Sequence, residues 1–499
     1  MCKFFKVILA CVLLVSTAFS SDKPVLRWAG DTDNGAPYVF YDAKDPRLLV
    51  GFEVDIVEAL ARQLGMQTQF MASEWDSLII GFNRNLYDVV ANGVAITPQR
   101  RLMAAFSKPY YITHLQLVVH ADEENINSLD QLEGRRIGSF INSEASEFLE
   151  TIDGLQVLQY SNEGSMFADL AYGRVDAVII DEVVAKYYAS VHQHLKLVGE
   201  PIGQLEYALV FPKNTLPDRI ARFNTAIDAL IQSGELREIL ERWNVWNPLM
   251  AAYTGDFSKS SVEPTAYNAF VDMERPQNLG WGKRLKMYMG FLPILGEGAW
   301  MTVQISVFSM LLAIIAGLFL ALMRVYGFWP LRMLAIAIIE IIRGTPLLIQ
   351  LLIIFYGLPG IGIRFDPFIA GIVGLGINYS AFEAENYRAG LLSIPKGQME
   401  AAMALGMSHC QALRHVIIPQ AVRIVIPPVT NDFISLLKDS SLVSMITIVE
   451  LTYRYNQLAA TYYDYLGIGI LVAVIYLLLG LPFVRLAKIA ERKLAVPHL

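Results

Sequence analysis

The sequence predicts a molecule in two unlike parts: an α/β domain of two lobes, then an all-α membrane domain of about five helices. Three observations carry that expectation. Short apolar strands alternate with amphipathic helices from Val25 to Trp246. Apolar stretches long enough to cross a bilayer begin only after Trp300. The composition averages the two parts, 54% hydrophobic and 17% charged over 499 residues with mean hydropathy +0.40. A soluble protein holds about 25% charged residues.

The chain opens with Lys3 and Lys6, an apolar run Val7–Val15, and small residues from Ser16 to Ser20. That pattern predicts a signal sequence over residues 1–20, with a core too short to span. Ile8-Leu9-Ala10-Cys11 has the outline of a lipoprotein cleavage box, but too few apolar residues precede Cys11. The cysteines are Cys2, Cys11 and Cys410. The exported part therefore has none, and neither a disulfide framework nor a zinc site is expected there.

Strands are predicted at Val25–Ala29, Thr68–Met71, Asp88–Val94, Leu115–Val119, Arg136–Phe140, Ala177–Ile180 and Ala208–Phe211. Phe52, Ile56, Val57, Leu60 and Leu64 repeat at helical spacing, as do Ile220, Phe223, Ile227 and Leu230. Such alternation builds βαβ units and a largely parallel sheet. Residues 248–292 break the pattern. Gly255–Ser261 and Glu263-Pro264-Thr265 read as linker, and Trp281–Phe291, with Lys283, Arg284 and Lys286, reads as an interfacial helix.

Five spans follow: Met301–Met323, Leu331–Tyr356, Phe368–Tyr387, Arg423–Ile446 and Tyr465–Leu486. The second is interrupted at Arg343-Gly344-Thr345-Pro346, as one broken span or two. The fourth carries Asp432, Lys438 and Asp439 and must face protein or a wet cavity. Charge divides along the same line, with net −13 over 22–247 and +4 over 248–499. An acidic first half argues against nucleic acid, which requires clustered Lys and Arg. With the α/β part outside, cytoplasmic segments hold Arg324, Arg332, Lys396, Arg414, Lys488, Arg492 and Lys493. Outer loops hold Arg364 and Arg454, as the positive-inside rule requires. The Lys283 cluster is the exception.

Two sets of motifs connect these parts to known families. Glu400-Ala401-Ala402-Met403-Ala404-Leu405-Gly406, followed by Ile417-Ile418-Pro419, resembles the EAA loop of ABC-importer permeases. Arg343–Leu348, Tyr379–Gly390 and Lys438–Val443 extend the likeness across roughly 296–490. Glu400–Leu405 reads as a short helix, Gly406 as a sharp turn and Pro419 as the restart of a helix. Such a helix can dock on a cytoplasmic partner. Asn378, Glu383, Glu385 and Lys438 are candidates for a translocation path, since polar groups inside a membrane are costly to keep.

The exported part resembles periplasmic polar amino-acid-binding proteins. The matching words are Gly51-Phe52-Glu53-Val54-Asp55, Glu74–Ile79, Ala95–Arg100, Phe106–Tyr110 and Gly173–Ala177, covering roughly 24–245. The resemblance implies a two-lobed periplasmic-binding-protein fold of type II. It implies that Arg100 clamps the ligand α-carboxylate, a role suited to the planar guanidinium fork. Asp181 would hold the α-ammonium, although it could also cap the helix starting at Glu182. Asn92, Gly93 and Ala95 would offer backbone groups on one lobe, and Ser143 and Glu144 N–H groups on the other. Tyr38 and Trp75 would form aromatic walls. Two departures point to a roomy pocket: Gly35 stands where an aromatic is common, and Ala95 replaces a hydroxyl residue.

The expected organisation is a signal sequence (1–20), a binding domain (21–247), a linker with the interfacial helix (248–292) and a permease (293–499). The lobes would comprise 21–114 with 206–247, and 115–205. No phosphate-binding Gly-Lys-Ser/Thr loop occurs, so ATP hydrolysis is assigned to a partner: two ABC ATPase subunits per transporter. The expected importer is a multi-pass protein of the bacterial inner membrane, a homodimer (or a pair with a second permease) in contact with lipid, without cofactor or metal. It would capture an amino acid of the polar class outside. A ligand-gated channel or amino-acid-sensing receptor is the other reading. Those channels insert their spans between the lobe segments, whereas here the strand pattern is complete by Trp246.

Overall fold

The computed structural model describes residues 23–494 except 33–35, 43, 260–261, 274 and 276–278. The signal sequence and Gly35 lie outside the described residues. Among the described residues the α/β part holds ten strands: β1 (Val25–Gly30), β2 (Phe40–Tyr41), β3 (Leu49–Val50), β4 (Gln67–Ala72), β5 (Val89–Val90), β6 (Ala104–His120), β7 (Arg136–Phe140), β8 (Gln156–Tyr160), β9 (Ala177–Asp181) and β10 (Leu195–Pro212). Eight form one sheet in the order β4-β1-β5-β10-β6-β9-β7-β8, and β2 and β3 pair as a separate hairpin.

The sheet is mixed rather than largely parallel. Strands β4, β1 and β5 run parallel at one end and β8, β7 and β9 at the other. Between them β6 and β10 run antiparallel to each other. These are the two crossovers. They are long because each lends one half to each lobe, and their register slips between Val198 and Leu205. The predicted strands Leu115–Val119 and Ala208–Phe211 are therefore parts of much longer ones. The predicted strand Asp88–Val94 shrinks to Val89–Val90, because Gly93 adopts φ +59 and turns the chain away. Strand β8 was not expected. Its sequence, Gln-Val-Leu-Gln-Tyr, is partly exposed at the sheet edge and lacks an apolar run.

The helices of this part are α1 (Phe52–Gln63), α2 (Pro98–Met103), α3 (Glu144–Leu149), α4 (Glu163–Ala171), α5 (Glu182–Val191), α6 (Pro217–Ser233) and α7 (Glu235–Arg242). Both predicted apolar stripes face inward: Ile56, Val57 and Leu60 of α1 and Phe223, Ile227 and Leu230 of α6 are buried. They pack on Trp28, Tyr111, Tyr207 and Phe211 in one core. The linker contains two short helices, α8 (Pro248–Thr254) and α9 (Thr265–Val271).

The interfacial helix is not a separate element. Helix α10 runs unbroken from Trp281 to Tyr326, 46 residues. At 1.5 Å per residue it is about 69 Å long, against a hydrocarbon core of about 30 Å. Lys286 and Lys283 thus stand about 22 and 27 Å before Met301 along the axis, still within the stretch that the charge rule counts, so the cluster remains its exception. Next come α11 (Trp329–Gly344), α12 (Leu347–Leu352), α13 (Pro367–Leu392), α14 (Lys396–Ala404), α15 (His409–Ala412), α16 (Ile418–Asp439), α17 (Leu451–Tyr462) and α18 (Tyr465–Leu494).

Among the described residues three helical runs are long and apolar enough to cross a membrane: Trp281–Tyr326, His409–Ile446 and Tyr465–Leu486. Helix α11 with the segment starting at α12, bent by 106° at the break Thr345-Pro346, passes the same test only as a pair, as a broken span or a re-entrant loop. That is fewer than the five spans expected. The third expected span, Phe368–Tyr387, lies within the unbroken 26-residue helix α13, but Asn378, Ser380 and Glu383 lower its apolar content. Pro419 does not restart a helix either. A π-turn at Leu413–Ile417 carries the helix from His409 straight into α16, and the start is capped by the Ser408 side chain.

Candidate functional site

The parallel strands β1, β5, β7 and β9 all end at one cleft between the lobes, where α/β sheets place their ligands. Asp31, Tyr38, Trp75, Asn92 and Gly93 line it from the first lobe. Phe140, Ser143, Glu144, Glu163 and Asp181 line it from the second. The free space it leaves is about 50 Å³, which does not bear out the roomy pocket expected from the sequence.

Arg100 sits on α2, whose first turn is capped by the Thr97 hydroxyl accepting from the Arg100 N–H at 3.2 Å. The guanidinium is buried behind the cleft rather than on its wall. It donates to the Ala95 carbonyl at 3.2 Å and to the Asn142 carbonyl at 3.0 Å, and it pairs with the Glu144 carboxylate. Trp75 lies 5.5 Å from it, ring centroid to guanidinium carbon. Glu144 thus brings its carboxylate, and not only its N–H, to the site. That carboxyl is pushed up to about 7 by burial, partly opposed by Arg100.

Asp181 ends β9 at the first position before α5, yet its side chain makes no cap. It accepts instead from the Tyr38 hydroxyl at 2.8 Å, across the two lobes. Burial raises its carboxyl, and the Tyr207 and Tyr38 hydroxyls and Arg100 oppose the rise. The backbone groups of the first lobe are partly committed. The Gly93 N–H donates to Glu53 at 2.7 Å, and the Ala95 carbonyl serves Arg100. Asn92 accepts through its side chain from the Asp31 N–H. On the second lobe, the Ser143 hydroxyl donates to Phe140 at 2.6 Å and caps α3.

Sequence reasoning missed three carboxylates here. Asp31 follows β1 and accepts from the Trp75 N–H at 3.0 Å. Glu163 opens α4 and is buried. Glu53 lies behind Gly93, fully buried, and also accepts from Tyr110. The rule that pointed to Asp181, an acid at the carboxyl end of a buried strand, applied equally to Asp31. No local pattern marks Glu163, and Glu53, although it stands in the word Gly51–Asp55, is brought near only by the packing of distant residues.

In the helical part Asn378 donates to Gln350 at 3.1 Å. Gln350 in turn donates to the Ile342 carbonyl at 2.8 Å, closing the break between α11 and α12. Glu383 is fully buried, and neither carboxylate oxygen has a hydrogen bond among the described residues. Glu385 is engaged by Arg324 and Arg388. Lys438 is exposed, while the adjacent Asp439 accepts from Tyr379 at 2.7 Å. Glu400 and Ala401 are exposed on α14 while Ala402 is buried. Gly406 takes φ +87 and turns the chain, leaving Leu405 81% exposed at the tip. Pro419 is exposed on α16.

The family model for bacterial extracellular solute-binding proteins, family 3, matches residues 27–245. That for binding-protein-dependent transport system inner membrane components matches 313–496. The L-cystine transport system permease protein of Bacillus subtilis (strain 168) is 40% identical over 205 residues, 41% of this chain and 88% of that one. The glutamine transport system permease protein of Escherichia coli (strain K12) is 38% identical over 207 residues, 41% of this chain and 94% of that one. A solved structure of an ancestral arginine-binding protein bound to arginine aligns with 45% of this chain and 99% of its own. Its identity is 28% and its TM-score 0.42.

Proposed function

As the chain belongs to the binding-protein-dependent amino-acid permeases of ABC importers, with a family-3 solute-binding domain fused ahead of the permease, we propose how it works. Outside the membrane the two lobes close on a zwitterion. Arg100 takes the α-carboxylate in a bidentate, charge-assisted grip. Asp181 takes the α-ammonium, with Tyr38 and Trp75 as walls and Asn92 and Ser143 at the rim. The ligand carboxylate replaces Glu144 on the guanidinium. The observation that carries this reading is the cleft itself, with Asp181 on its wall and Arg100 directly behind Glu144.

The closed domain delivers its amino acid to the permease to which it is joined. The tether holds the binder at an effective concentration on the order of mM. In the permease, Asn378 and Glu383 face the path, Glu385 is held by its arginines beside it, and Lys438 lies at its edge. One copy offers one side of a pathway, so two copies pair about a twofold axis. The loop from Glu400 through Gly406 to Pro419 engages an ATPase on a separate chain, with Met403 and Leu405 as exposed apolar contacts. Two such ATPase subunits drive the cycle from the cytoplasm.

The experiment is import by vesicles holding this chain and an ATPase chain, with labelled amino acids outside. Uptake requires ATP inside and is lost in Arg100→Ala, whose ligand affinity falls on the order of 10- to 100-fold. Uptake without the ATPase chain, or an Arg100→Ala variant that binds normally, overturns the assignment.

A further inference from the structure

We propose that Glu144 sets the selectivity of this cleft: it holds Arg100 against carboxylates that carry no ammonium group, and passes to the α-ammonium when an amino acid enters. The inference rests on the reading of the cleft as an amino-acid site and adds the residue that makes the ammonium obligatory.

Arg100 belongs to the first lobe, and Glu144 opens α3 in the second. Their side chains are only 9% and 10% exposed, so the ion pair is buried on both sides. The guanidinium also donates to the Asn142 carbonyl at 3.0 Å, and the Asn142 amide donates to Asp76 at 2.8 Å. Each of these contacts joins one lobe to the other. Glu144 lines the cleft and stands between it and the guanidinium. With about 50 Å³ free, an amino acid enters only as the lobes part, and parting them breaks the pair. On closure two carboxylates, that of the ligand and that of Glu144, compete for one guanidinium.

Charge decides the outcome. A ligand carboxylate alone displaces Glu144 and leaves its charge beside Asp181 on the same wall. Even against Arg100, burial holds the Glu144 carboxyl up at about 7, and Asp181 and Glu147 add to the rise. Without its cation that charge costs far more, because removing one partner of a buried pair leaves the other uncompensated. An α-ammonium beside Asp181 supplies the missing cation. One ion pair is then exchanged for two: ligand carboxylate with Arg100, and ligand ammonium with Glu144 and Asp181. An anion without the amine has no such exchange open to it. Glu144 is therefore a repulsive element against the anion and not against the zwitterion, which is how selectivity between similar ligands is built.

The test uses the full chain in detergent and calorimetry at pH 7.5. Glutamine, arginine and the other amino acids are each compared with the analogue that has hydrogen in place of the α-ammonium. For glutamine this is 4-carbamoylbutanoate, and for arginine 5-guanidinopentanoate. In the parent the best-bound amino acid is expected to exceed its analogue on the order of 100-fold. In Glu144→Gln, and in Glu144→Ala as a second variant, the analogue should gain on the order of 10-fold while the amino acid gains less or weakens. Such a gain cannot come from a damaged fold. Equal gains for analogue and amino acid overturn the selection by Glu144, as does an analogue affinity unchanged or lower in both variants. Either result leaves the amino-acid site standing. Binding of no amino acid by the parent overturns both.

Discussion

Glu53 supports the cleft from beneath, and its environment makes a measurable demand. Burial pushes its carboxyl up to about 7, against the lowering by its bonds from Tyr110 and the Gly93 N–H. In the unfolded chain the same group titrates near about 4.3. The folded state therefore holds the proton more strongly. The stability it contributes is complete below the unfolded value and is lost as pH rises through about 7. Glu53→Gln cannot ionise, yet its oxygen still accepts from both partners. Its binding-domain melting temperature should vary less than the parent's between pH 6 and 8.5, and exceed it at the upper end. An equal decline in both proteins would refute this. Arg100 and Asp181 were legible because each sits in a local word, Ala95–Arg100 and Asp176–Asp181. Glu53 belonged to such a word too, but its role depends on Gly93 and Tyr110, 40 and 57 residues away.

At the level of elements, α10 and α13 pack closely in the permease. A Cβ on Gly317 would lie 2.7 Å from the Glu383 Cβ and 2.8 Å from the Ser380 carbonyl. Small residues permit such approach where no hydrophobic effect drives helices together. Gly317→Val should therefore lower the melting temperature of the permease in detergent, the overpacking amounting to about 1–3 kcal/mol. Gly290→Val on the same helix meets nothing within 4 Å and should change it little. Equal shifts for the two would remove the contact as the cause. Apolar periodicity revealed the helices but not this pairing, because period reports which face is apolar and not what lies against it. The missed strand β8 and the single long helix α10 have a related origin. An edge strand has no need of an apolar run, and no local signal marks where a helix continues through a charged segment.

Over the whole molecule the binding domain rests on its own permease through both lobes. From the first lobe the Arg84 guanidinium lies 3.1 Å over the Phe355 ring and donates to the Phe365 carbonyl, while Gln457 donates to Pro46 at 2.7 Å. Thr32 and Tyr453 hydroxyls meet at 3.2 Å. From the second lobe Asn162 accepts from Tyr465 at 3.1 Å, and a Cβ on Gly164 would fall 2.2 Å from the same hydroxyl. Helix α17 and its flanking tyrosines thus touch both lobes at once, and a rigid helix can do so only at one lobe separation. Arg84→Ala and Gly164→Val should reduce ATP-driven import by more than they change amino-acid affinity in detergent. Import at the parent's rate in both variants would show that these contacts do not couple the domains. By itself the sequence determined the family, the division into an acidic α/β part and a basic apolar part, and the residues of the two strongest motifs. These follow from local composition, period and short words. Only the tertiary structure decided the mixed sheet, the 106° bend between α11 and α12, the pairing of Arg100 with Glu144 and the gathering of four carboxylates in one cleft. Those depend on burial and on contacts between distant residues, which set the energy of a charge and which no short stretch of sequence records.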